Sequence, residues 1–156
     1  MKFNEFFEQI EAEGIELEFE YPQALPPLRL SNEAMFHLPL IAITILVMAK
    51  GYVKPPVDQI GQLVGDCYEC TFPGFRGSAQ HLGWSASLRV RTVQALSFLE
   101  LAQLIAVDAQ HKRIVATDIG RAVVDKVFSA GGDLASNLVE IERNYRNLRV
   151  EKQLRI

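Results

Sequence analysis

The stretch TVQALSFLELAQLIAVDAQHKRIVATDIGRAVVDKV, residues 92–127, decides the fold. Its first ten residues continue a helix that Ser85 or Ser87 is placed to cap and that ends near Leu101, with Leu88, Thr92, Ala95, Leu96 and Leu99 grouped on one face. Residues 104–107 and 113–116 are short β-prone runs on either side of Asp108, Ala109, Gln110, His111 and Lys112, which predicts a hairpin with a polar tip. Thr117 then caps a further helix over residues 118–129.

Upstream, residues 39–50 are apolar around nearly the whole helical circumference, with Pro39 suited to a first turn and Gly51 to a stop. The longest apolar run, residues 38–49, falls short of the about twenty residues a membrane span needs, so it reads as a buried core helix and no membrane anchor is expected. Pro55 and Pro56 open the next helix, whose Val57, Ile60, Leu63, Val64, Cys67 and Cys70 fall on one side. The segment TFPGFRGSAQHLGW, residues 71–84, has three glycines, a proline and no usable period, and reads as a packed loop or insertion.

The first 33 residues form an acidic extension. Phe3, Phe6, Phe7 and Ile10 make the stripe of a short amphipathic helix, Ile15, Leu17 and Phe19 alternate with glutamates as in a strand, and Pro22, Pro26 and Pro27 demand an extended connection. Residues 34–130 are then the main body, and residues 131–156 a last helix set off by Gly131 and Gly132. In that helix Leu134, Leu138, Ile141, Tyr145 and Leu148 recur at steps of four and three, a narrow seam read here as a dimerisation surface in preference to packing on the same chain. No repeat at a period of twenty to fifty residues and no low-complexity tract is present, which removes solenoid and linker readings.

Composition agrees with one globular domain: 156 residues, 49% hydrophobic and 22% charged. Two cysteines exclude a disulfide scaffold, and the absence of a signal-like segment makes a cytoplasmic address the expectation. The formal charge of −3 is uneven, because residues 1–33 carry eight glutamates against Lys2 and Arg29, a sum of −6, leaving +3 for the remainder. A mildly basic body with an acidic extension is compatible with one local face for a polyanion.

Helix, helix, helix, two-stranded hairpin, helix is the order of a winged helix-turn-helix body. The chain from about residue 38 to 130 resembles MarR-type and PadR-type regulators, most closely where Leu99, Glu100, Leu104 and Ile105 carry a leucine-rich helix end into a strand and where TDIGRAVVDKV follows the hairpin. The fold class expected is mainly α with a small β-hairpin wing. Two departures stand out: Gln103 occupies a place where such regulators often have glycine, and the link between the second and third helices is much longer than a tight turn.

The resemblance implies that the third helix lies in the DNA major groove and that the wing touches the backbone or minor groove. By the helical period Ser87, Arg91 and Gln94 share a face opposite Leu96 and have donors suited to bases or phosphates, with Ser85 and Arg89, nearer the buried side but close to the helix start, as secondary candidates. At the tip His111, Lys112 and Arg113 form a compact basic run fit to neutralise phosphate, and Arg76 lies in the insertion. The basic side chains Arg143, Arg146, Arg149, Lys152 and Arg155 of the last helix are suited to tracking phosphate or to a solvated helix end. Phe98 and Leu101 project from the same outward side as Gln94 and call for a protein cover, either the N-terminal phenylalanines or a second subunit.

Cys67 and Cys70 in CYEC invite a metal or redox reading, with His81 as the nearest extra ligand, but they continue an apolar series and a structural zinc site needs four ligands. Asp118, Asp125, Glu140 and Glu142 have no nucleophilic or basic partner at a telling spacing, and no phosphate loop or serine elbow is present, so neither an enzyme nor a cofactor is expected. The leading expectation is a homodimeric transcriptional regulator on double-stranded DNA. The alternative is a winged-helix module that docks a protein through Phe98, Leu101 and the N-terminal aromatics, and a third is a regulator sensing a ligand between the apolar helix and the insertion.

Overall fold

A computed structural model describes residues 38–75 and 85–154; the extension 1–33, Arg76 and His81 lie outside the described residues. Helix α1 (Leu38–Lys50) is the centre of the molecule. Ile41, Ala42, Ile45, Leu46, Val47, Met48 and Ala49 are all buried, as a helix apolar on every side requires. Its one buried hydroxyl is satisfied twice: Thr44 Oγ1 donates to the Leu40 carbonyl at 2.8 Å and lies 3.2 Å from the Tyr68 hydroxyl. The helix ends in an unforeseen cap. The Lys54 ammonium donates to the carbonyls of Ala49, Lys50 and Gly51 at 2.9, 3.2 and 2.7 Å, supplying partners for carbonyls that the last turn leaves open.

Pro55 and Pro56 do not open the second helix, as their sequence position suggested. Pro56 forms an antiparallel bridge with Arg113, flanked by Val57 N–H donating to the Lys112 carbonyl and Ile114 N–H donating to the Pro55 carbonyl. A proline fits there because a sheet edge tolerates a residue that has no N–H to give. One 3-10 turn (Val57–Gln59) then leads into α2 (Ile60–Thr71). Ile60, Leu63, Val64, Cys67, Tyr68 and Thr71 are its buried side chains, whereas Cys70 is exposed and leaves the apolar series assigned to it.

Helix α3 (Ala86–Leu101) is capped by Ser85, whose hydroxyl accepts from Leu88 N–H at 3.4 Å. Strands β1 (Ile105–Asp108) and β2 (Arg113–Ala116) pair antiparallel, with Ile105 opposite Ala116 and Asp108 opposite Arg113. Helix α4 (Asp118–Ala130) begins where Thr117 Oγ1 accepts from Gly120 N–H at 3.1 Å, the cap expected from the sequence. Gly131 and Gly132, with φ of 68° and 84°, turn the chain into α5 (Gly132–Leu154). The described chain is thus mainly helical with one two-stranded antiparallel sheet.

The C-terminal seam is used differently from the expectation. Leu138, Ile141 and Tyr145 belong to the chain's own core, Leu148 packs against it, and only Leu134 stays open. Two buried-side hydrogen bonds tie α5 down: Tyr145 Oη donates to the Val53 carbonyl at 2.9 Å, and Asn144 Nδ2 to Thr71 Oγ1 at 3.0 Å. Those residues are unavailable to a second copy because the apolar faces of α1 and α2 need the same cover.

The turn after α3 explains the first departure in the sequence. Leu104 N–H reaches the Leu99 carbonyl and Gln103 N–H the Glu100 carbonyl, the paired bonds of a Schellman ending. Gln103 sits at its left-handed position with φ of 58°, where glycine carries no Cβ penalty. Gln103→Gly is therefore expected to stabilise the fold by about 0.5–1 kcal/mol, seen as a higher urea midpoint at unchanged slope. A lower midpoint would show that the glutamine earns its place through its side chain.

Candidate nucleic-acid interface

Leu88, Thr92, Ala95 and Leu99 commit one side of α3 to the core, and the Thr92 hydroxyl is satisfied by the Leu88 carbonyl at 2.7 Å. Ser87, Arg91 and Gln94 are exposed, so the side chains expected to reach bases do stand on the open surface. Arg89 is exposed as well, contrary to its assignment nearer the buried side, and its stem runs over Gly61 at the start of α2. Ser85 is spent on the helix cap.

What the sequence reading missed is how apolar the outermost strip of α3 is. Val90, Val93, Phe98 and Leu101 are 58, 61, 54 and 86% exposed. The spacing of three, five and three residues was the available signal, since on a helix it forms a second stripe opposite the buried one. An open groove of about 320 Å³ runs beside this strip, bounded by Val57, Asp58 and Gln62 on one side and Arg89 and Val93 on the other.

The hairpin tip is ordered by its own carboxylate. Asp108 accepts from Gln110 N–H at 2.9 Å and lies 2.7 Å from His111 Nδ1, and these bonds, the histidine first, hold its carboxyl below the usual range. Lys112, at φ of 50°, is exposed. Arg113 is not a tip residue in function: its guanidinium turns back to donate to the Lys54 carbonyl at 2.7 Å. Of the three basic side chains expected at the tip, His111 is engaged by Asp108 and Arg113 by the fold, and Lys112 is the one that projects.

The cations of α5 are partly engaged too, Arg143 with Glu140 at 3.5 Å and Lys152 with Asp66 at 3.9 Å, while Arg155 lies outside the described residues. A cleft of about 260 Å³ lies where the end of α1 meets α5, lined by Val47, Val53, Glu142, Tyr145 and Arg146. The place between the apolar helix and the insertion, where the ligand-sensing reading put a pocket, lies outside the described residues. Burial beside the cleft lifts the Tyr145 hydroxyl to about 12, and it stays a donor to Val53. Burial likewise pushes the Cys67 thiol well up, which disfavours the thiolate that redox or metal chemistry needs. Among the described residues no three His, Cys, Asp or Glu side chains converge, and no helix is long and apolar enough to cross a membrane.

Comparison with known proteins finds no match: no family model fits the chain, and no curated protein or solved structure is detectably similar to it.

Proposed function

We propose that the chain is a winged helix-turn-helix protein that binds double-stranded DNA in the cytoplasm as a transcriptional regulator, without enzymatic activity. The observation that carries the reading is topological. Between α1 and α2 the chain forms a one-rung strand at Pro56 that joins the β1–β2 hairpin, so the order is helix, strand, helix, helix, hairpin, helix. That order supports reading α3 as the recognition helix and residues 109–112 as the wing tip. Ser87, Arg91 and Gln94 supply donors for bases, and Lys112 supplies a charge for the backbone. A second copy, which two half-sites require, has the outer edge of α5 to meet, where Val139, Val150 and Leu154 are open.

Selection from random duplex DNA at near-physiological salt tests the reading. Arg91→Ala is expected to cost about 1–3 kcal/mol and relax one position of the enriched motif, whereas Lys112→Ala weakens all sequences alike and lowers the salt slope by about one. Identical effects of the two substitutions would remove the division between base reading and backbone contact. A second reading, a module that docks a protein through α3, is favoured by the exposed Val90, Val93, Phe98 and Leu101. No enriched motif together with a stoichiometric protein partner bound at α3 would establish it.

A further inference from the structure

The cleft where the end of α1 meets α5 combines an apolar floor with two charged side chains. Of its lining, Val47 and Tyr145 are buried, Val53 is half-buried and Tyr52 stands fully exposed. Polar atoms along the floor are already spent within the chain. The Val47 carbonyl accepts from Gly51 N–H at 3.2 Å, the Gly51 carbonyl from Lys54 Nζ at 2.7 Å, and the Val53 carbonyl from Tyr145 Oη at 2.9 Å. The floor therefore offers an occupant mainly hydrocarbon and aromatic surface.

Glu142 and Arg146 are the charged members of the lining, four residues apart on α5. That spacing is within pairing reach on a helix, and the nearby Glu140 and Arg143 do pair, at 3.5 Å. Glu142 and Arg146 do not: among the described residues neither makes an ion pair or a hydrogen bond. An occupant that covers them takes away their water, which is costly for a carboxylate or a guanidinium unless a counter-charge arrives with it. A zwitterion answers both, with an ammonium for Glu142, a carboxylate for Arg146 and an apolar group for the floor. The volume of about 260 Å³ lies below the roughly 300 Å³ at which sites for drug-sized ligands begin, so the occupant is small.

We infer that this cleft binds a free apolar α-amino acid, its ammonium on Glu142, its carboxylate on Arg146 and its side chain against Val47, Val53 and Tyr145. The site lies apart from the α3 surface and the hairpin tip, and the binding does not rest on the DNA-binding reading.

Isothermal titration calorimetry of the full chain with L-phenylalanine and with L-leucine tests it. Each is expected to bind one per chain, and glycine, which brings both charges without the side chain, at least about tenfold more weakly. N-acetyl-L-phenylalanine lacks the ammonium and L-phenylalanine amide the carboxylate, and each is expected to lose at least about tenfold against L-phenylalanine. Glu142→Gln is expected to weaken L-phenylalanine without weakening the N-acetyl derivative, and Arg146→Gln to weaken L-phenylalanine without weakening the amide, which matches each charge to its partner. Both side chains reach the surface, so the two variants should melt with the parent when no amino acid is present. Absence of binding at about 10 mM of either amino acid overturns the inference. Equal affinity for L-phenylalanine and its two derivatives also overturns it, since the cleft would then take any apolar body. Unchanged L-phenylalanine affinity in both variants would put the site elsewhere and overturns it as well. Amide binding as tight as that of the free amino acid, lost only in Glu142→Gln, overturns it in favour of the N-terminus of a peptide.

Discussion

Gly120→Ala is expected to lower stability by about 2–3 kcal/mol and the Tm by roughly 5–10 °C, although alanine is the better helix former by about 1 kcal/mol. The reason is a three-way meeting of backbone. A Cβ at Gly120 would fall inside the van der Waals radius of the Leu104 carbonyl oxygen and press on Leu46 Cδ1. That carbonyl does not move freely, because it already accepts from Thr117 N–H at 3.0 Å, and Thr117 Oγ1 donates to the neighbouring Gln103 carbonyl at 2.7 Å. The end of α3, the cap of α4 and the central helix α1 are thus joined at one glycine, and a side chain there has to push them apart. Gly61→Ala is the matched control on α2. Its Cβ would meet the Arg89 stem at 3.3 Å, a flexible neighbour that can shift, so helix propensity decides and the expected change is small and favourable. Thermal melts of the two variants should move in opposite directions, and a Gly120→Ala protein as stable as the parent would refute the close approach.

Leu138→Ala is the second large effect, expected at about 3–5 kcal/mol because the side chain is fully buried and its removal leaves a cavity between α5 and the core. This substitution also separates the two fates of the C-terminal seam. A residue that packs within its own chain loses stability by the same amount at every protein concentration, whereas a dimer seam gives a Tm that rises with concentration and a deficit that shrinks accordingly. The expected result is a concentration-independent loss. Val139→Ala, one residue along and half exposed, should stay within about 0.5 kcal/mol of the parent. A strongly concentration-dependent Leu138→Ala melt would return the seam to a second copy.

Much of this fold was legible because local chemistry is strong where it matters. The uninterrupted apolar run of α1, the polar tip between two β-prone runs, Thr117 as a cap and the glycines before α5 each state their structure within a few residues. Even the oddity of Gln103 was visible, and its positive φ accounts for it. The candidate surface was less legible. Counting around α3 brought Ser87, Arg91 and Gln94 to the outside, but it was centred on Leu96, which is only half buried, and so it displaced Arg89 inward and passed over Val90 and Val93.

Three features belong to tertiary structure alone, each because the partner lies far along the chain. Arg113 reads as part of a basic tip until its guanidinium is seen on the Lys54 carbonyl, 59 residues away. Pro55 and Pro56 read as a helix start until β2 offers them an edge to bridge. The seam of α5 reads as a dimerisation face until the core of the same chain is seen to take it, since periodicity names an apolar side and says nothing of what covers it. The sequence by itself therefore determined the main helices and the hairpin and the buried sides of α1 and α5. The tertiary structure decided which of those faces meet, because the competition for cover among α1, α2, α3 and α5 is settled only when all of them are in place.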